Sequence, residues 1–303
     1  MDFTLDLFSS LLTALNDAGY QLMPVSDWNM NKQSGHQRQI LLRHDVDRAA
    51  ERSVATAVIE HNLGVRGTYY FRIMPESYDV QVIRQIMSLG HEIGYHYEDL
   101  DLSARELRAA KQKPGTVSEK DLAEMAYSRF RKNLSLLREL APVSTICMHG
   151  SPRSRYDSRL LWKYFDYGEL GIGTEPYFDI PLDDRLYLTD TGRRWDGTAV
   201  SVRDRVYVRD RAYYEGWARK PVTGSAMAMT EAGRVLHYEH KFRKSSDIME
   251  SAIAGNLPEK MLLNIHPQRW SNSLPVWISE LVTQNLKNVV KYFIKRQRFG
   301  SGN

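Results

Sequence analysis

Cysteine and long apolar runs are nearly absent from this sequence. A single cysteine, Cys147, occurs in 303 residues, which excludes an internal disulfide framework and suits a reducing compartment. Because Cys147 lies in the apolar stretch 143–148, we predict a buried, inert thiol rather than a nucleophile. No stretch approaches the roughly 20 apolar residues that span a bilayer. Residues 1–8 lack the basic and apolar regions of an export signal. We therefore expect a cytoplasmic protein.

Strong charge and nucleic-acid motifs are missing as well. The formal net charge is +4, too mild by itself to indicate a nucleic-acid partner. Neither zinc-finger spacing nor a phosphate-binding glycine loop occurs, and the sequence contains no internal repeat or convincing linker. With 42% hydrophobic and 26% charged residues, the composition is that of a globular protein. We predict a single domain over residues 1–303, because this length fits one large barrel.

Strand-like and helix-like segments alternate along the chain. Strands are predicted at 39–47, 66–73, 91–98, 144–149, 186–189, 205–208 and 260–265. Helices are predicted at 50–63, 80–89, 118–140, 157–164, 227–254 and 276–298. Strands separated by helices indicate an α/β fold, with β-α units around a parallel sheet that is open or closed into a barrel.

Acidic and imidazole side chains follow four of the predicted strands. Asp45 and Asp47 end the first of them, and alternation along a strand places both on the same side. Two neighbouring carboxylates repel, so such a pair is normally stabilised by a cation or a shared proton. A salt-bridged strand end that includes Arg43 is the alternative. The other strand ends hold His96 with Glu98, His149, and His266. Ligand sites gather at the carboxyl ends of parallel strands, so these side chains indicate one shared site.

The segment Gly90-His91-Glu92-Ile93-Gly94-Tyr95-His96 resembles the polysaccharide deacetylases, the NodB-homology group of carbohydrate esterase family 4. That family also carries an aspartate pair at the first strand, a proline-containing loop after a later strand, and a Leu-Xaa-His near the end of the domain. Here those places hold Asp45 with Asp47, residues 149–152, and residues 263–266. The match covers roughly residues 39–267, and the final helix at about 276–298 follows it. The resemblance implies a distorted (β/α) barrel.

The resemblance also implies metal-dependent chemistry. One aspartate and two histidines of the family hold a divalent metal, usually zinc, that activates a water molecule. By resemblance, Asp47 and His96 are metal ligands, Asp45 is the general base, and His266 is the acid that protonates the leaving amine. The family's aspartates are adjacent, whereas Val46 separates them here, so the two roles can be exchanged.

The chain departs from the family pattern at Leu100. The family's second metal histidine lies four residues after the first, and a leucine there cannot coordinate a metal. The third ligand must therefore come from elsewhere. We favour His149, because its imidazole matches the missing one, and we keep Glu98 as the alternative.

Three further residues are candidates for contact with the substrate. The resemblance assigns the backbone amide of Arg153, after the proline of the loop, to the oxyanion of the tetrahedral intermediate. Trp195 belongs to a loose counterpart, 190–196, of the family motif that lines the acetyl pocket. Tyr97 flanks His96 and can stack on a sugar ring. Core packing is the alternative for Trp195 and Tyr97, and it is our prediction for His44.

These features predict a metal-dependent hydrolase that removes an acyl group, most simply acetyl, from an amino sugar. The expected cytoplasmic location favours a nucleotide-linked or lipid-linked precursor of surface polysaccharide. One alternative is hydrolysis of another non-peptide C–N bond. The other is a barrel that has lost its metal and binds a sugar without turnover, which Leu100 motivates.

The final predicted helix, 276–298, is amphipathic. Its apolar face consists of Leu281, Leu286, Val289, Val290 and Phe293. We predict that this face packs against the barrel. Contact of the helix's basic residues with an anionic membrane surface is a weaker alternative.

Overall fold

A computed structural model describes residues 1–28, 38–110, 117–150, 156–181, 185–195 and 242–299, with the side chains of the last helix up to residue 286. Arg153, the predicted strand 205–208 and most of the predicted helix 227–254 lie outside the described residues.

Strands and helices alternate along the described chain. The strands are β1 (Gln21–Met23), β2 (Gln39–Val46), β3 (Thr68–Phe71), β4 (Glu92–Tyr97), β5 (Ile146–Met148), β6 (Leu186–Thr189) and β7 (Lys260–Ile265). The helices are α1 (Leu5–Asp17), α2 (Glu51–Asn62), α3 (Val80–Ser88), α4 (Asp99–Ala109), α5 (Glu119–Arg138), α6 (Pro176–Asp179), α7 (Ser245–Ile253) and α8 (Leu274–Phe299). Short 3-10 helices cover Val25–Trp28, Ser158–Lys163, Tyr167–Leu170 and Pro267–Arg269.

All seven strands belong to one parallel sheet, in the order β5-β4-β3-β2-β7-β6 with β1 also paired to β2. β7 pairs with one edge of β2, and β1 and β3 divide the other edge between them. Helices surround this curled sheet, so the predicted α/β fold of the distorted barrel type is confirmed. Because all strands run in parallel, their carboxyl ends meet on one side, which is the condition for a shared site.

The predicted elements that fall on described residues are found, with ends that differ by a few residues. The segment 157–164, predicted as helical, forms the 3-10 helix Ser158–Lys163. Four of the described helices and strands were not predicted, namely α1, β1, α4 and the four-residue α6, and neither were the 3-10 helices other than Ser158–Lys163. α1 has the signals of a helix, since Thr4 caps it by accepting a hydrogen bond from the Leu7 amide. Its buried residues Phe8, Leu11, Leu12 and Leu15 follow helical spacing.

The two faces of the sheet are chemically different. Arg43 and Asp45 of β2 lie on the face that carries His96 and Cys147, and the intervening His44 lies on the other. There His44 contacts the buried Glu60 of α2, with 2.7 Å between Nε2 and Oε1, so the predicted structural role is confirmed. Cys147 is buried and unpaired in any disulfide, and burial raises the pKa of its thiol. The predicted burial is therefore confirmed, and the inertness of the thiol stays a prediction.

Gly94 is needed for space rather than for an unusual backbone angle. A Cβ at this position would lie 2.4 Å from ring atoms of Tyr70 on the neighbouring strand β3. The glycine therefore lets the Tyr70 ring pack flat across β4, beside the next inward-facing residue, His96.

Among the described side chains of helix α8, which end at residue 286, one departs from the predicted packing. The buried side chains in this described part are polar: Glu280 accepts a hydrogen bond from Arg48 at 2.6 Å, and Gln284 donates to Glu280 at 2.7 Å. Of the predicted apolar face, Leu286 is 65% exposed and Leu281 is half-buried, and the side chains of Val289, Val290 and Phe293 lie outside the described residues. The buried face of the helix at Glu280 is thus held by an ion pair to Arg48, the residue that follows Asp47. Neither α8 nor any other helix among the described residues is long and apolar enough to cross a membrane.

Asp99, the first residue of α4, gives a pH-dependent prediction. It is buried and accepts hydrogen bonds from Tyr95 Oη and Asn133 Nδ2, each at 2.8 Å, and burial raises the pKa of its carboxyl to about 7. The unfolded chain has the ordinary value of about 3.9. Asp99 therefore contributes stability that is fully present below about pH 4 and is lost as the pH rises from about 4 to about 7, by an amount on the order of 4 kcal/mol.

The Asp99→Asn variant tests this, since its amide does not ionise. Urea unfolding at about pH 5 and about pH 8 is expected to show a larger loss of stability on alkalinisation in the wild type than in the variant. Equal losses in both proteins would contradict the assignment.

Candidate functional site

Three side chains converge where strands β2, β4 and β5 end. Asp47 follows β2, His96 lies near the end of β4, and His149 follows β5. One ligand atom of each lies within 4.8 Å of the other two. Asp47 Oδ1 is 3.6 Å from His96 Nε2 and 3.5 Å from His149 Nε2. The structure therefore brings together the three residues that the sequence predicted as metal ligands.

In His96 and His149, the ring nitrogen Nδ1 is hydrogen-bonded to a group that can only accept a hydrogen bond. His96 Nδ1 donates to the carbonyl oxygen of Cys147 at 2.9 Å, and His149 Nδ1 donates to Glu98 Oε2 at 3.1 Å. In the neutral imidazole the proton then sits on Nδ1, and the lone pair of Nε2 points toward Asp47. This arrangement, with the second nitrogen hydrogen-bonded, is the usual one for a metal-binding histidine.

The donor set and its spacing fit a divalent metal. Asp47 Oδ1 is buried and has no hydrogen-bond partner among the described residues, which is costly unless a cation satisfies it. Tetrahedral ligands at ~2.0–2.2 Å from zinc lie roughly 3.3–3.6 Å from one another, close to the 3.5 and 3.6 Å found from Asp47 Oδ1. One carboxylate and two imidazoles leave a fourth position open, as in catalytic zinc sites. The residues present fit a metal, and their assignment as ligands stays a prediction.

Burial alone would raise the pKa of the Asp47 carboxyl, but the neighbouring imidazoles of His96, His149 and His266 hold it well below its usual range. Asp47 is therefore ionised at neutral pH. This lowering requires positive charge beside the carboxylate, which protonated imidazoles supply in the absence of a metal and which a bound cation would supply when the imidazoles are neutral ligands.

Glu98, the alternative third ligand, lies behind His149. One of its oxygens accepts from His149 and the other pairs with Arg72, at 2.6 Å from Nε and 2.5 Å from Nη2. Its oxygens are therefore engaged by other groups, and His149 rather than Glu98 faces Asp47. Leu100, where the family has its second histidine, is fully buried in the apolar core.

Asp45 differs from Asp47 in its hydrogen-bond partners. Arg43 binds it through two hydrogen bonds, Nε to Oδ1 at 2.8 Å and Nη2 to Oδ2 at 2.7 Å, and Asn264 donates to Oδ2 at 3.1 Å. Burial would raise the pKa of Asp45, but the Arg43 guanidinium keeps it far below its usual range. Asp45 Oδ2 is 3.8 Å from His96 Nε2. The salt-bridged strand end is thus found for Asp45, while Asp47 faces the histidines.

His266 approaches the site from the opposite side. Its Nε2 is 3.8 Å from Asp47 Oδ2, and its Nδ1 donates to Asp190 Oδ1 at 2.6 Å. Asp190 is fully buried and also accepts from Arg269 Nη1 at 2.6 Å and Trp270 Nε1 at 2.9 Å. Burial would raise the pKa of Asp190, but Arg269 and His266 lower it. An ionised Asp190 accepts from Nδ1 and fixes the orientation of the His266 ring.

Two predicted substrate contacts are wrong. Tyr97 is fully buried, donates to Glu175 at 3.4 Å and accepts from Trp162 Nε1 at 2.8 Å, on the face of β4 opposite His96. Trp195 is 2% exposed and packs against Phe3 and Trp270. Both are core residues, the alternative kept for them. The predicted oxyanion donor, the amide of Arg153, lies outside the described residues.

Sequence reasoning missed three residues of the site: Arg72, Asp190 as the partner of His266, and Asn264. Arg72 directly follows β3 and Asp190 directly follows β6. The strand-end rule that selected Asp47 and His149 would have found both if it had been applied to every charged residue.

Comparisons with known proteins complete the description. No protein-family model matches the chain, and no curated protein matches it. The chain is similar to the crystal structure of a CE4 family pseudoenzyme from Bacillus anthracis, with 10% sequence identity and a TM-score of 0.38. The match covers 85% of this chain and 62% of that one, so the chain spans less than two thirds of that protein's length. CE4 is the carbohydrate esterase family 4 that the segment from Gly90 to His96 resembles in sequence.

Proposed function

We propose that this protein is a metal-dependent hydrolase that removes an acyl group, most simply acetyl, from the nitrogen of an amino sugar. The observation that carries the proposal is the convergence of Asp47, His96 and His149 on an unpartnered carboxylate oxygen, with His266 within 3.8 Å of the same carboxylate. A divalent metal held there, zinc in the first place, would act as a Lewis acid and lower the pKa of water.

The protein's own residues divide the proton transfers between them. His266, which Asp190 holds at Nδ1, presents Nε2 to the site and serves as the general acid for the leaving amine. Asp45 is ionised and accepts three hydrogen bonds from Arg43 and Asn264. A carboxylate has about four lone-pair positions, so one remains for a proton from water, and Asp45 serves as the general base.

The substrate is proposed from the resemblance and the expected location. The Gly90–His96 segment resembles enzymes that act on amino sugars, and the single cysteine suits a reducing compartment. A cytoplasmic precursor of a surface polysaccharide fits both. Neither a nucleic-acid partner nor a membrane surface is part of the proposal.

The proposal is tested by loading purified protein with zinc and measuring acetate release from N-acetylated amino sugars and their nucleotide-linked forms. We expect turnover that a chelator abolishes and zinc restores. Metal content by mass spectrometry is the accompanying measurement. A stoichiometric zinc complex that never releases acetate would contradict the hydrolase but leave the metal site intact.

A second candidate, a sugar-binding barrel without turnover, is favoured by one observation. Arg43 engages both oxygens of Asp45 and keeps its pKa far below the usual range, which weakens Asp45 as a proton acceptor. Isothermal titration with amino sugars, combined with the acetate assay, separates the two candidates. The sugar-binding barrel predicts binding without acetate release.

A further inference from the structure

Behind the three proposed ligands lies a second layer of charged groups at the ends of β3 and β4. Glu98 directly follows β4 at the N-cap position of α4, yet its side chain makes no capping hydrogen bond. A carboxylate in that position usually caps the helix or interacts with its dipole. Here it reaches away from the helix, and its oxygens go to Arg72 and His149.

Arg72 ties this carboxylate to the backbone of a ligand. Its Nε and Nη2 bind Glu98 Oε1, and its Nη1 donates to the backbone carbonyl of Asp47 at 2.8 Å. The backbone amide of Arg72 donates a hydrogen bond to Ser77 Oγ at 3.0 Å, which further restrains this residue. One guanidinium therefore fixes both the position of Asp47 and the carboxylate that holds His149.

We infer that Arg72 and Glu98 are positioning residues that fix the tautomer and orientation of His149, so that its Nε2 faces Asp47 and the metal. The inference rests on the proposed metal site and extends it. A carboxylate only accepts, so it requires the proton of the neutral His149 imidazole on Nδ1.

The charges and burial agree with this role. Glu98 is 4% exposed, and an unpaired buried carboxylate would be costly. Both of its oxygens are engaged, Oε2 by His149 Nδ1 at 3.1 Å and Oε1 by the Arg72 guanidinium. The Arg72–Glu98 pair thus holds His149, which follows β5 instead of lying four residues after His96 as the second histidine of the family does.

Zinc affinity is the first measurement. Glu98→Gln keeps the shape and removes the charge, and Glu98→Ala removes the partner. We expect zinc dissociation constants, from competition with a chromophoric chelator, to rise by about 10–100-fold in both. Glu106→Gln on the same helix, where Glu106 pairs with Arg129, is the matched control and should leave the affinity unchanged. Thermal unfolding verifies that each variant is folded.

The His149 tautomer is the second measurement and needs no metal. Long-range proton–nitrogen NMR of metal-free protein is expected to show protonation at Nδ1 in the wild type. In Glu98→Ala it should show a shift toward protonation at Nε2. Wild-type His149 protonated at Nε2, a tautomer unchanged in Glu98→Ala, or zinc affinity unchanged within threefold would each overturn the inference. Wild-type protein that shows the expected tautomer and binds no zinc would refute the proposed metal site while supporting the role of Glu98.

Discussion

Replacing His149 by alanine is expected to reduce bound zinc from stoichiometric to background and acetate release with it. The variant keeps only Asp47 and His96, and two ligands do not complete a catalytic zinc site, which uses three protein ligands. The loss of affinity should exceed the ~10–100-fold that follows removal of an outer partner. Elemental analysis after dialysis and a zinc titration measure it.

The thermal stability of His149→Ala, measured with and without zinc, tests the same loss of metal binding independently. Zinc that binds only the folded wild type stabilises it by about 2.7 kcal/mol when its free concentration is 100 times the dissociation constant. The melting temperature of the wild type should therefore rise on addition of zinc, and that of His149→Ala should not. His61→Ala, at an exposed histidine of α2, is the control and should behave like the wild type. Full zinc occupancy in His149→Ala would show that another residue completes the site.

The positions of the ligands could be predicted because two simple periodicities determine them. A strand alternates its side chains, and parallel strands bring their carboxyl ends together. Asp47, His96 and His149 all follow from these rules. His149 also required the chemical argument that an imidazole replaces the one missing at Leu100. None of this depends on knowing which strands are neighbours.

Strand order is what the sequence did not reveal. Asp190 and His266 are 76 positions apart, and they meet only because β6 pairs with β7. The pattern of each strand is local, whereas pairing depends on the whole sheet. The same limit applies to Asn264 of β7, which reaches Asp45 of the neighbouring β2.

The error at Tyr97 has a different origin. Alternation that places His96 toward the site places Tyr97 on the opposite face, where it packs against Phe130 and Trp162. The rule used for Asp45 and Asp47 excludes Tyr97 from the site and would have corrected the prediction. Trp195 could not be excluded in this way, because its partner Phe3 precedes α1, an element that was not predicted.

Replacing Arg43 by methionine is expected to destabilise the fold by about 3–5 kcal/mol. Arg43 and Asp45 are 2% and 4% exposed, so the substitution leaves a buried carboxylate without its counter-ion. The guanidinium also lies over the rings of Tyr70 and Tyr177 at 5.7 and 5.4 Å, and these contacts are lost with it. Urea unfolding at neutral pH measures the loss.

The double variant Arg43→Met with Asp45→Leu separates charge from packing. Replacing both members of a buried ion pair by apolar residues is often close to neutral, so the double variant should recover much of the stability that Arg43→Met loses.

The pH dependence of the folding stability has a defined sign. Arg43 lowers the pKa of Asp45, so the stability contributed by the pair is present above the unfolded value of about 3.9 and is lost as the pH falls below it. In Arg43→Met this acid-induced loss of stability should be smaller, because Asp45 is then more easily protonated in the folded state.

A loss of stability below about 1 kcal/mol for Arg43→Met would place the pair in the range of exposed ion pairs. It would also contradict the argument that Arg43 limits Asp45 as a base, since a weakly held carboxylate is free to accept a proton.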